Sequence, residues 1–508
     1  DNNYTLAASG GAISGAAGLT KSSTGTLTLS GANSYSGGTV LNAGKIAVGH
    51  NAALGTGTVT LAGGTFVNSG DITLTNSIQA AASTTTVLDN GTANNFTING
   101  NITGSGTLTR GSSFTASLYL GGDNSGFTGT YQDQNSGNSV TRWTSPNAGS
   151  ANARWIFNQA QVDSRTTPNF GTGTIQFGPI SGARFISQNT PGTATLQVGA
   201  LGLNDTYSGS MRNGGGTLAL TKVGAGTLTM SGASTYTGAT IISNGTLLVN
   251  GSLAAGSAVA VNGGTLGGTG TAAGAVTVDS GGTLAPGTSI GTLTLGSLTL
   301  NSGATNTMEL GDSLTGDKAA ASGAVVYGGT LKLLWTGTTP TAGTVDLFDG
   351  SSFSGAFSSL QLVNWPAAYR VSTNNLTTDG SITIAANAAP VANNLTMGVA
   401  RGATGTLTVI GGKNSASDAD GDSVVVTAVG TPTSGSAGFT VSNVTYTASG
   451  NSGTNTFTYT VTDLFGASDT KTVTVIVSDP QGFNQIAAPQ VISGGTVALS
   501  YLGIPGCN

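Results

Sequence analysis

The sequence predicts an all-β protein: a right-handed parallel β-helix followed by a small β-sandwich. Three observations carry that expectation. Glycine supplies 83 of the 508 residues while charged residues make up only 7%, so long amphipathic helices lack their usual building blocks. Short stretches such as Thr26-Leu27-Thr28-Leu29 alternate polar and apolar, the period of a strand with one buried face. A segment also recurs without a gap. Residues 19–48 read LTKSSTGTLTLSGANSYSGGTVLNAGKIAV and residues 220–249 read LTKVGAGTLTMSGASTYTGATIISNGTLLV, placing Lys21 on Lys222, Tyr35 on Tyr236 and Gly44 on Gly245.

Each copy reads as strand, turn, strand, turn. Thr227-Leu228-Thr229-Met230 repeats the alternation, and clusters such as Ser30-Gly31-Ala32-Asn33 supply turn chemistry. A worn third copy runs over 106–131, and the pattern is dense over 261–300 with Gly264-Thr265-Leu266, Gly282-Thr283-Leu284 and Gly291-Thr292-Leu293. Wound at ~22 residues per rung, ~380 residues make about 17 rungs and a column roughly 80 Å long. Stacking explains the composition, because a charge repeated on every rung faces its own copy whereas Thr and Asn hydrogen-bond to theirs. Residues 1–334 are assigned to this column.

The string Gly-Thr-Leu-Thr-Leu-Ser-Gly-Ala-Asn-Ser-Tyr-Ser-Gly-Gly-Thr at 25–39 resembles the autotransporter-associated β-strand repeat, also called the passenger-associated transport repeat. The 264–295 stretch, with Gly282-Thr283-Leu284-Ala285-Pro286-Gly287, resembles the C-terminal rungs of such passengers. The resemblance covers 19–67 and 218–310, weakens over 132–217 and ends near 385. It implies a surface-exposed or secreted bacterial β-helix, often an adhesin or a stalk, and not an enzyme. Classical members close with a membrane β-barrel. No such strand series is read after residue 310, which favours a surface protein without one.

The middle departs from the repeats. Residues 132–190 gather Trp143, Trp155, Arg142, Arg154, Arg165 and Arg184. One reading is a sugar-binding patch in which Trp143 and Trp155 stack on pyranose rings. The other is a wide rung whose Trp residues cover the core and whose Arg residues pair with Asp133 and Asp163. Larger apolar residues over 335–369 read as terminal rungs and a cap, protecting strand edges that would otherwise pair with other chains. Residues 335–388 are assigned to that cap and to a linker at 387–391.

Residues 389–479 form a second unit. The strand Thr456-Phe457-Thr458-Tyr459-Thr460-Val461-Thr462-Asp463, a strand at 424–429 and another at 472–477 have sandwich spacing. Together with the Asp418-Ala419-Asp420-Gly421-Asp422 loop they resemble the cadherin-like, immunoglobulin-like domains of bacterial surface proteins. Three Asp within five residues call for neutralisation, and a hard divalent cation with oxygen ligands supplies it. Gly421 stands fourth and Val429 twelfth in the loop, so it is no EF-hand. The resemblance implies a Ca2+ site built from Asp418, Asp420 and Asp422, joined by Asp463 and by Asn393 or Asn394. A solvated acidic turn is the alternative.

Other chemistry finds little support. The net charge of −5 and the scattered basic residues argue against nucleic acid as a partner. No apolar run is long enough for a membrane-spanning helix. His50 is the one histidine and Cys507 the one cysteine, so neither a Ser-His-Asp triad around Gly49-His50 nor a His/Cys metal cluster is read. His50 is taken as a surface turn residue. Two carboxylates suited to polysaccharide hydrolysis could come from Asp123 with Asp133, or Asp312 with Asp317, but no local pattern singles them out. The opening at Asp1 reads as a removed leader or a start inside a longer chain. Residues 480–508 read as a donor strand or the start of a further domain. The expected function is that of an extracellular structural protein, a stiff stalk or filament subunit of a bacterial surface that associates with copies of itself. A glycan-binding adhesin is the alternative, and a polysaccharide lyase or hydrolase a weaker one.

Overall fold

A computed structural model describes residues 2–7, 11–90, 94–111, 116–134, 140–158, 169–170, 172–413 and 415–479. The chain divides into two units, 1–386 and 387–508. In the first, 17 strands from Tyr4–Leu6 to Ser359–Val363 form one sheet in which each strand pairs in parallel with its counterpart one coil later. This is a parallel β-solenoid, and residues 19–48 and 220–249 each span two successive coils of it. The alternation read in the sequence becomes the inside and outside of the wall. Leu228 pairs with Leu247, Leu247 with Leu266 and Leu266 with Leu284, all four buried, while Thr227, Thr246, Thr265 and Thr283 form the parallel outer column.

A second face runs beside the first. Leu19–Lys21, Thr39–Leu41, Val59–Leu61, Ile78–Ala80 and Ile102–Gly104 form its first part. Single bridges from Gly104 to Phe127 and from Ser150 to Phe177 lead to its second part, which runs from Gly173–Phe177 to Phe348–Asp349. Past Ser252–Leu253 the second face divides into two ladders, one pairing Leu295 with Ala321 and the other Leu298 with Val325; a separate third face runs through the middle. It is built from Ile72–Leu74, Phe96–Ile98, Leu118–Leu120, Thr141–Trp143 and Asn169–Phe170, then from Ile186–Gln188 with Met211–Asn213. Coil length follows the number of faces: the step is 19 residues from Leu228 to Leu247 and 24 from Tyr131 to Trp155.

The two repeat copies share their internal bonds. The Tyr35 hydroxyl meets Thr39 Oγ1 at 2.6 Å, and Tyr236 meets Thr240 Oγ1 at 2.6 Å, all four residues buried. Lys222 Nζ donates to the carbonyls of Val223 (2.7 Å), Gly224 (2.8 Å) and Asn244 (3.2 Å), tying its own turn to that of the next coil. Lys21 does the same with Ser23 and Ala43. Gly44 (φ 73°) and Gly245 (φ 67°) occupy the matching turns, and a Cβ at Gly245 would lie 2.3 Å from the Gly224 carbonyl oxygen. At the C-terminal end of this unit, Gly343–Asp346, Ser381–Ala386 and Tyr369–Ser372 form an antiparallel sheet that buries Val345, Val371, Ile382 and Ile384.

The second unit is a β-sandwich. One sheet orders Leu395–Ala400, Ser468–Ser478, Gly453–Thr462 and Val425–Val429; the other orders Thr404–Thr408, Asn443–Thr447 and Ser436–Phe439. Tyr446, Phe457, Tyr459, Val461 and Val473 fill the space between them. Residues 480–508, with the expected donor strand and Cys507, lie outside the described residues.

Candidate functional site

The acidic loop is the best-assembled cluster of ionisable groups. Asp418, Asp420 and Asp422, all half-buried, bring carboxylate oxygens within 4.8 Å of one another. The turn is held by its own side chain, since Asp418 Oδ1 accepts the Asp420 N–H at 2.8 Å and the Asp422 N–H at 3.4 Å. At such separations each like-charged pair repels by roughly 1–3 kcal/mol in a solvent-screened setting. Asp418 Oδ2 is shielded from solvent and accepts no hydrogen bond. An oxygen-only anionic donor set with one shielded, unsatisfied oxygen has the chemistry of a hard-cation site.

Asp463 does not join this group, which corrects the expectation for it. Its Oδ1 accepts the N–H groups of Phe465 and Ala467 at 2.9 Å each, and its Oδ2 accepts Asn387 Nδ2 at 2.7 Å. One oxygen closes its own turn and the other holds Asn387. Asn394 Oδ1 accepts the Thr472 N–H, and the Asn393 backbone is bonded to the Tyr459 hydroxyl. Asn387 and Ala388, read from sequence as linker, are bonded into this end of the sandwich, with the Ala388 N–H on Asp420 Oδ2 at 2.7 Å. An amide residue just ahead of the domain's first strand was the available signal.

Trp143 and Trp155 are corrected as well. They are 0% and 2% exposed, so neither ring offers a face to a sugar. They lie 5.8 Å apart among Tyr131, Phe157 and Phe177 inside the three-sided coils. Beside them Asp133 is enclosed by two guanidinium groups: Arg110 Nη1 lies 3.2 Å from Oδ2 and Arg184 Nη1 3.2 Å from Oδ1, with all three side chains inaccessible. Thr141 Oγ1 adds a bond of 3.1 Å to Oδ2 and also meets the Tyr131 hydroxyl at 2.9 Å. Burial pulls the Arg184 guanidinium down against the opposing pull of Asp133, and burial raises the Tyr131 and Tyr207 hydroxyls. Arg154 pairs with Asp205 at 3.0 Å and Arg142 lies over the Tyr119 ring. Arg165 and Asp163 fall outside the described residues.

The two carboxylates of each pair considered for hydrolysis sit in unlike surroundings. Asp123 is a surface group held low by the Ser125 hydroxyl and N–H, whereas Asp133 is enclosed. Asp312 is a surface group held low chiefly by the Thr339 N–H. Asp317 is buried, accepts the N–H groups of Glu309 and Gly291, and is pushed up to about 7 chiefly by desolvation. His50 stands exposed at the start of a turn.

Among known families, residues 19–48 and 220–249 match the passenger-associated-transport-repeat, and residues 387–476 match the bacterial Ig domain. No curated protein shows significant similarity to the chain. The chain therefore carries passenger-associated repeats on a β-solenoid followed by a bacterial immunoglobulin-like domain. That combination fits the passenger of a secreted or surface-exposed protein. No helix among the described residues is long and apolar enough to cross a membrane.

Proposed function

We propose that the chain serves as a stiff extracellular spacer on a bacterial surface, associating with copies of itself. The observation behind this reading is the 17-strand parallel sheet, whose backbone hydrogen bonds run along the column and whose interior is packed from Leu27 to Trp335. At ~4.8 Å per strand this sheet extends roughly 80 Å. The outer wall supports association, because a net charge of only −5 over 508 residues leaves little repulsion between copies. Single-molecule pulling between the ends of residues 1–386 tests the stiffness: the expected trace is a rigid element that yields in large cooperative steps. Gradual extension at low force sinks the reading. Sedimentation of the chain over a wide concentration range tests association, with a single monomeric boundary throughout as the contrary result.

Asp418, Asp420 and Asp422 would hold Ca2+ in the second unit, and the cation would neutralise their charge and fix the loop against Ala388. Calcium at 100 times its dissociation constant would stabilise that unit by about 2.7 kcal/mol. The measurement is the unit's thermal midpoint in calcium and in chelator, for the wild type and for Asp420→Asn. Equal midpoints in the wild type contradict the site.

A further inference from the structure

The third face of the solenoid begins abruptly at Ile72–Leu74, and the coil before it has no strand at that position. The turn at His50–Leu54 fills part of the gap, with Asn51 Oδ1 taking the N–H of Thr73 on the open strand edge at 2.9 Å. What remains is a side-wall cleft of about 470 Å³ lined by His50, Asn51, Thr56, Thr73, Thr75 and Asn76. Its walls are fixed, since Asn76 Nδ2 donates to the carbonyls of Gly55 (3.1 Å) and Gly57 (2.9 Å).

We infer that this cleft binds an uncharged glycan. Its walls present an amide N–H at Asn51, an amide carbonyl at Asn76, an imidazole edge at His50 Nε2 and the hydroxyls of Thr56, Thr73 and Thr75. None of these atoms makes a hydrogen bond to the described residues. Donors and acceptors thus share one wall of pre-set shape, which suits a ring carrying vicinal hydroxyls. The volume lies within the usual range for small-ligand sites, but the polar, open lining suits a sugar better than an apolar molecule. No carboxylate, ammonium or guanidinium lines the cleft, so it lacks the cation that a uronate or sialate would call for. The site exists because coils with two faces meet coils with three, and it is separate from the buried Trp143 and Trp155.

His50 is the chain's one histidine, so a 13C-labelled imidazole gives a single NMR signal located in the cleft. The full chain is titrated with neutral oligosaccharides of glucose, galactose, mannose and N-acetylglucosamine, and with oligogalacturonate. The expected result is a saturable shift of the His50 signal with at least one neutral glycan, half-complete at about 1–10 mM. Thr56→Val and Thr75→Val remove hydroxyls that carry no internal bond. Each weakens binding by about fivefold, with the thermal midpoint unchanged. The inference is overturned if no neutral glycan moves the signal, if oligogalacturonate alone does, or if the midpoint of the titration is the same in both variants.

Discussion

Around Leu228 the solenoid advances by 19 residues per coil and two sheets enclose aliphatic side chains; around Tyr131 it advances by 24, gains a third sheet and encloses aromatic rings with a buried Arg–Asp–Arg group. The same outer sheet runs through both regions, so the difference arises from the coil's perimeter. A few extra residues widen the cross-section, and the wider section must be filled to crystal-like density. Leu, Val and Ile fill most of the narrow coils, with Tyr35 and Tyr236 each bonded to a buried threonine. The wide ones use Trp143, Trp155, Phe157 and Phe177, and complete the filling with polar groups that must satisfy one another. Narrow coils are therefore held together by many equal contacts, and wide coils by a few unequal ones.

The largest expected effect breaks the wide coils alone. Asp133→Ala leaves two guanidinium groups facing each other in a dry interior and costs about 3–5 kcal/mol. Hydrogen exchange of residues 107–188 should accelerate while residues 227–300 keep their protection. Equal loss along the whole column would show that the two regions unfold as one. Leu247→Ala is the narrow-coil counterpart and costs about 2–4 kcal/mol through the cavity it leaves, read from the chemical denaturation midpoint. Gly245→Ala forces a side chain into a positive-φ site against the Gly224 carbonyl and costs about 1–3 kcal/mol in the same measurement. The smallest effect is a pH dependence in the repeat. Burial lowers Lys222 from its ordinary value of 10.5 to about 8. Between those values the unfolded chain holds a proton that the folded chain has released, so stability rises with pH across the window. The rise should be missing from the curve for Lys222→Met, so subtracting that curve from the wild type's isolates it.

The narrow coils were legible because their period of two repeats in phase, so Leu27 and Leu228 declare the inside of the wall. The third face was not, since strands of three residues such as Ile72–Leu74 and Phe96–Ile98 are too short to separate from turn sequence. The Arg–Asp group carried a readable signal. In Thr107-Leu108-Thr109-Arg110 and Thr130-Tyr131-Gln132-Asp133 the charged residue shares parity with the buried Leu108 and Tyr131, and must point inward with it. Composition left the Trp residues open between a surface patch and the lining of a wide rung, and their burial decides for the rung. In the second unit, Asp418, Asp420 and Asp422 are adjacent in sequence and were found together. Asp463 arrives from another loop, and which turn would claim its oxygens depends on backbone geometry that the residue type does not encode.

The lysine-and-tyrosine bonding pattern is duplicated 201 positions apart, in coils of matching girth at Lys21 and Lys222. A cut-and-join that runs from Lys21 directly into Val223 would therefore seat one narrow turn on another without a mismatch in bore. The outcome is a shorter tower lacking its aromatic storey, so the height of such a molecule can be trimmed or extended in whole storeys by exchange between like segments.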